Sequence, residues 1–194
     1  MTEALEPILD EIHNHLLRGA ARRHSPMHTP VVGTADGDLR VMVLREFDLA
    51  RRTLRFHTDI RSPKVTAITH DPAVTILFYD PEAKVQIRAR GIGRVETGSA
   101  AVDAAWDQST PFAKRCYLAE SAPGSSSDGP VSGLPDWVEG ITPTGAQVAP
   151  ARKNFAAVLV QVTAFDWLYL ANTGHRRARF EFSDGGTGSS WLVP

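Results

Sequence analysis

Residues 53–64 read Thr53-Leu54-Arg55-Phe56-His57-Thr58-Asp59-Ile60-Arg61-Ser62-Pro63-Lys64. Thr53 to Thr58 is a short run of strand-favouring residues. Ser62 then suits a helix N-cap and Pro63 the first helical position, where a missing N–H costs nothing. A strand therefore hands over to a short helix, which runs to about His70 and ends at Asp71-Pro72. The handover gathers anion-binding groups: backbone N–H groups of a helix start, the hydroxyls of Thr58 and Ser62, and the cations of Arg61 and Lys64. Two readings stand side by side. Either these groups hold a phosphate monoester, or Ser62 merely caps a helix and Lys64 faces water.

Outward from this stretch the chain stays β-rich. Upstream, Pro30 to Thr34 reads as a strand, Ala35-Asp36-Gly37-Asp38 as a turn, and Leu39 to Phe47 as a second strand. Downstream, Ala73 to Tyr79 and Val85 to Glu96 are strands separated by Asp80-Pro81. Gly91 and Gly93 inside the second of these mark a bend or the close approach of another backbone. Phe155 to Phe165, Trp167 to Leu170, His175 to Phe182 and a last stretch ending at Pro194 add further β segments. Seven or eight short antiparallel strands with tight turns predict a closed or nearly closed barrel, which removes exposed sheet edges.

Helices flank this β framework. Leu5, Ile8, Leu9, Ile12, Leu16 and Leu17 recur at helical spacing and predict a helix over residues 3–18, with Pro7 close to its start. His13 and His15 read as solvated histidines on different sides of that helix. Ser99 to Leu118 reads as a helix capped by Ser99 and divided at Pro111. Residues 122–150, rich in Gly, Ser and Pro, form a long loop in which Leu134, Trp137, Val138 and Ile141 are the groups able to dock it as a lid.

The 194 residues fit a single domain over 1–194. With 21 Lys plus Arg against 22 Asp plus Glu, the net charge of −1 gives no overall field toward nucleic acid or membrane. Cys116 is the only cysteine, which excludes an intrachain disulfide or a thiolate metal cluster and suits a reducing cytoplasm. The acidic N-terminal stretch is neither signal peptide nor membrane span. No phosphate-binding lysine loop, dinucleotide glycine fingerprint or nucleophile elbow is present, and no metal site is expected. Redox chemistry would need an organic cofactor.

Two basic groups remain. Arg40 and Arg45 bracket Val41-Met42-Val43-Leu44 and, five positions apart, point to opposite faces of a regular strand. Both reach one ligand only through a bulge or through contributions from two subunits. His175, Arg176, Arg177 and Arg179 put four basic residues in five positions with no comparable acidic run opposite them. They read either as a salt-bridged surface or as a phosphate or carboxylate site.

In order along the chain, Arg40-Val41-Met42-Val43-Leu44-Arg45, Phe56-His57-Thr58, Arg61-Ser62-Pro63-Lys64, Asp71-Pro72-Ala73-Val74, Gln86 with Gly91, and Gly174-His175-Arg176-Arg177-Ala178-Arg179-Phe180 resemble the pyridoxamine 5'-phosphate oxidase-like family. These are FMN-binding split barrels. The resemblance implies a mainly β, antiparallel split barrel with flanking helices, working as a homodimer with FMN between the subunits. It implies cofactor contacts for Arg40, Arg45, His57, Thr58, Arg61, Ser62, Lys64, Gln86 and Arg179, and substrate contacts for His175 and Arg177. Pro63 stands where those oxidases place an Arg, so Arg61 is the residue to supply the missing charge. His175 and Arg177 stand where the oxidases have Arg and His, respectively. The implied activity is that of an FMN-dependent oxidoreductase acting on a small molecule, with no side chain assigned as a catalytic base. The alternatives are a flavin-binding module without turnover, or a split barrel using a deazaflavin or haem.

Overall fold

The computed structural model describes residues 4–194. Helix α1 (Glu6–Ala21) carries Pro7 in its first turn and so begins later than the expected residue 3. Glu3 lies outside the described residues. The helix continues past Arg18 because Gly19 packs on Met27, whose Cβ lies 2.9 Å from where a Cβ at position 19 would sit. The two histidines depart from the solvated reading. His15 is buried and pairs with Glu11 at 3.5 Å, while His13 lies against Phe47 and Phe165 with ring centroids 5.9 and 6.3 Å away. No described helix is long and apolar enough to cross a membrane.

Nine strands among the described residues form one sheet, and each contact between them is antiparallel. They are β1 (Val31–Thr34), β2 (Leu39–Val41), β3 (Leu44–Asp48), β4 (Thr53–Asp59), β5 (Ala73–Asp80), β6 (Val85–Glu96), β7 (Phe155–Tyr169), β8 (Arg176–Ser183) and β9 (Gly186–Leu192). The order is β2-β1-β5-β6-β7-β4-β3. Its two ends, β2 and β3, are halves of the single strand expected over Leu39 to Phe47, parted at Met42-Val43. Bending there lets one run of chain pair with β1 on one side and β4 on the other, so a two-residue link joins the two ends of this path, while β9 pairs only with β8.

The split lies in β7. Residues 155–161 pair with β4, and residues 164–169 pair with β8 on the same side. At the changeover β6 and β7 shift register between Arg90 and Gly91. A Cβ at Gly91 would run into the Gln161 carbonyl oxygen, so this glycine serves a close backbone approach, as its place in the strand suggests.

Strand alternation sorts the side chains. Val32, Ile76, Ala89, Phe165 and Phe180 lie in one transverse row, all at most 1% exposed, and form the centre of the core. One residue along each strand, Val31, Leu77, Arg88, Asp166 and Arg179 form the neighbouring row on the opposite face.

Helix α2 (Pro63–His70) follows β4 as expected. The predicted 99–118 helix is α3 (Ala100–Gln108), whose cap Ser99 accepts from the Val102 N–H, followed by α4 (Pro111–Lys114) and a 3₁₀ turn. A second apolar cluster seats Trp106 of α3 on Phe155 and Ala157 of β7. The 122–150 stretch contains a 3₁₀ turn at Asp136–Val138 and helix α5 (Gly145–Val148), which starts on a Thr144/Gln147 capping box. Val138 and Val148 anchor it in the interior, whereas Trp137 is half exposed.

Candidate functional site

The β4–α2 corner is built by local geometry. Thr58 and Ser62 are both buried, and their hydroxyl oxygens lie 3.1 Å apart. Ser62 occupies the N-cap position in an extended conformation, yet its hydroxyl does not cap α2. It donates instead to the Asp59 carbonyl at 2.8 Å, so the first turn of α2 has no side-chain cap. Lys64 extends back over the corner and its Nζ donates to Thr58 Oγ1 at 3.4 Å. Burial, and then the nearby charge of Arg40, hold the Lys64 pKa below its ordinary value.

Arg40 is the second cation here. Its guanidinium donates to Thr34 Oγ1 at 3.0 Å and to the Val32 carbonyl at 3.3 Å, and it pairs with Asp38. Arg61 was expected to supply the missing charge, but its own charge is already paired. It grips Asp59 through Nε and Nη2 at 3.0 and 2.7 Å and ties down the carbonyls of Ala119 and Glu120 at 2.9 and 3.1 Å. A bidentate guanidinium–carboxylate pair neutralises both groups. Arg40, itself paired with Asp38, is the cation whose charge acts on Lys64.

His57 lies next to Thr58 on β4 but faces the other way. Its ring meets Phe155 edge-on at 4.8 Å, and its Nε2 is buried without a partner among the described residues. Burial first, then the charges of Arg45 and Arg55, push its pKa down to about 3. The imidazole is thus neutral at pH 7. Arg45 sits at the β3 bulge between Leu44 and Glu46, exposed, with its charge directed at His57 rather than at Lys64. A bulge, one of the two routes by which both arginines could reach one ligand, is present, yet Arg40 and Arg45 remain on opposite faces.

Gln86, Arg177 and Arg179 come together elsewhere. Gln86 lies across Leu168 from Arg177 on the outer face of β6, β7 and β8. Beside them Asp166, 6% exposed, accepts from Arg177 Nε and Nη2 at 3.1 and 2.9 Å and from Arg88 Nη2 at 2.8 Å. Arg179 stands 3.7 Å from the same carboxylate. Burial opposes ionisation of Asp166, but the hydrogen bond from Arg177 and the charge of Arg88 outweigh it and hold the pKa below the ordinary carboxyl range. The basic segment thus does have an acid opposite it, a single residue rather than a run. Asp166 and Arg88 went unassigned in the sequence. Arg88 was legible as the residue two beyond Gln86 on the same face, and Asp166 as the lone acid in an apolar strand. His175 is exposed in the turn before β8, apart from this group of contacts.

The two groups lie far apart along β7 of one chain. His57 pairs with Ala157 and Arg179 with Asp166, nine positions further along β7. At about 3.3 Å per residue that is roughly 30 Å of strand.

Residues 11–97 match the family model described as pyridoxamine 5'-phosphate oxidase, FMN-binding domain. This span contains every expected cofactor residue except Arg179. None of the curated proteins matches the chain in sequence. Among solved structures, a pyridoxamine 5'-phosphate oxidase-related, FMN binding protein from Nostoc punctiforme PCC 73102 superposes with a TM-score of 0.72 at 23% identity, covering 100% of both chains. PhzG from Burkholderia lata 383, in complex with tetrahydrophenazine-1-carboxylic acid, gives 0.68 at 18% identity, covering 100% of this chain and 95% of its own. A protein related to general stress protein 26 from Clostridium acetobutylicum gives 0.53 at 10% identity, with 96% of each chain covered. Residues 11–97 thus match the FMN-binding domain family in sequence, and the chain shares the split-barrel fold of these solved structures along its length.

Proposed function

We propose that this chain binds FMN between two copies of itself and works as an oxidoreductase on a small-molecule substrate. The observation that carries the reading is the β4–α2 corner, where Lys64 and Arg40 converge beside buried hydroxyls and a helix start without a side-chain cap. Such a corner suits a phosphate dianion, since two cations and the positive end of a helix favour negative charge.

FMN, when bound, supplies the hydride-transfer chemistry. The chain's own residues bind, orient and shield it. Lys64 and Arg40 neutralise the phosphate, while Thr58 and Ser62 offer hydroxyls. Gln86 with Arg179 approaches the flavin from the second copy. His175 and Arg177 belong to the substrate side. The span of β7 between the two groups supports a site shared between copies. So does the outer face, where Leu39, Val41, Leu77 and Tyr79 are exposed on the same side as Gln86, an apolar patch that a second copy would cover.

The test is titration of the purified chain with FMN, followed by flavin fluorescence, with Lys64→Ala alongside. Wild type is expected to bind saturably, and the variant to bind about 10- to 100-fold more weakly, the worth of one charge-assisted hydrogen bond. Wild-type protein that stays colourless after incubation with FMN and removal of the excess overturns the reading. Bound FMN that dithionite reduces but neither NAD(P)H nor an amine does would leave the binding and remove the turnover.

A further inference from the structure

The outer face holds a cavity of about 190 Å³ lined by Thr75, Arg88, Arg90, Asp166, Arg177 and Arg179. At about 30 Å³ per water, it has room for roughly six waters, or for one small ring with a charged substituent. Four guanidinium groups meet one carboxylate there. Asp166 serves three of them, and no described carboxylate lies within ion-pair distance of Arg90. The Nε atoms of Arg88 and Arg179 are buried yet have no hydrogen-bond partner among the described residues. Packing like charges around a cavity and leaving buried donors unpaired are both unfavourable in the empty protein. An oxyanion entering the cavity relieves both at once, because planar guanidinium forks match carboxylate and phosphate oxygens.

We propose that this cavity receives the anionic end of a small organic acid, either a carboxylate or a phosphate ester, with Asp166 as the positioning residue that holds Arg88 and Arg177 in place around it. The site is separate from the Lys64 corner. Assigning the anion to the substrate rests on the oxidoreductase reading above and deepens it, since Arg177 is common to both. The existence of the anion site does not depend on that reading.

The test uses the full chain as wild type, Arg90→Gln and Arg88→Gln. Benzoate, phenyl phosphate and neutral benzamide are titrated by calorimetry at low chloride, and every sample is also titrated with FMN by fluorescence and sized by sedimentation. Saturable binding of benzoate or phenyl phosphate to wild type is expected, with none for benzamide and a weakening of about ten-fold or more in each variant. Arg90 is exposed, so Arg90→Gln leaves the fold intact if Arg88→Gln does not. Whichever anion binds tells carboxylate from phosphate. Failure of both anions to bind, binding unchanged in the variants, or equal binding of benzamide overturns the proposal. So does dissociation of the variants into single chains without any anion effect, which would assign the arginines to contacts between copies. If FMN binds no sample while the anion results hold, the flavin reading alone falls.

Discussion

His57 shows how burial sets the charge of one side chain. Its folded-state pKa of about 3 lies well below the ordinary 6.5. Above pH 6.5 the imidazole is neutral whether the chain is folded or not, and its full contribution to stability is present. As pH falls from 6.5 toward 3, the unfolded chain takes up a proton that the folded chain refuses, so stability is lost on acidification. The slope contributed by one such group approaches about 1.4 kcal/mol per pH unit. Denaturant midpoints measured from pH 7 to pH 4 should therefore fall, and fall less steeply in His57→Gln; parallel profiles would count against this account. Asp166 is the converse case, a buried acid kept charged by its cations. Neither environment was legible in the sequence, because both arise from residues far away along the chain: Phe155 against His57, and Arg88 and Arg177 against Asp166. Ser62 was legible as an N-cap position, but the Asp59 carbonyl captured its hydroxyl.

At the scale of elements, the two glycines of β6 separate backbone crowding from side-chain crowding. A Cβ at Gly91 would meet the Gln161 carbonyl oxygen, which cannot move without breaking the β6–β7 register shift. At Gly93 the obstacles are the methyl groups of Val74 and Ile68, at 2.8 and 3.1 Å. Gly91→Ala is expected to cost about 3 kcal/mol, the upper end for overpacking, and Gly93→Ala about 1 kcal/mol. Urea denaturation of the two variants checks the order, and a milder Gly91→Ala would refute the crowding at the shift. Strands, turns and the α2 start were readable because alternation, Gly/Pro punctuation and capping residues are local signals. The break at Met42-Val43 was not, since Val41 to Leu44 is unbroken apolar sequence and only the closing of the sheet demands a bend there.

For the whole molecule, the apolar outer face carries the expectation of self-association. Val41 is 64% exposed beside Leu39 at 66%, more than a lone surface chain needs to show. Sedimentation is expected to give twice the chain mass for wild type and a shift toward one chain for Val41→Glu, with unchanged circular dichroism. A single-chain wild type at tens of micromolar would refute it. The family resemblance implied a set of contact residues, but no sequence pattern placed them on two separate surfaces. That separation comes from β7, one stiff strand that exchanges partners midway.

The same strand sets a counting rule. If every pocket is assembled from the front half of one molecule and the back half of another, pockets arise in pairs, and a solitary molecule owns only two unmatched halves. Two differently damaged molecules, one lacking Lys64 and the other Arg179, would then combine to give one whole pocket and one doubly broken one.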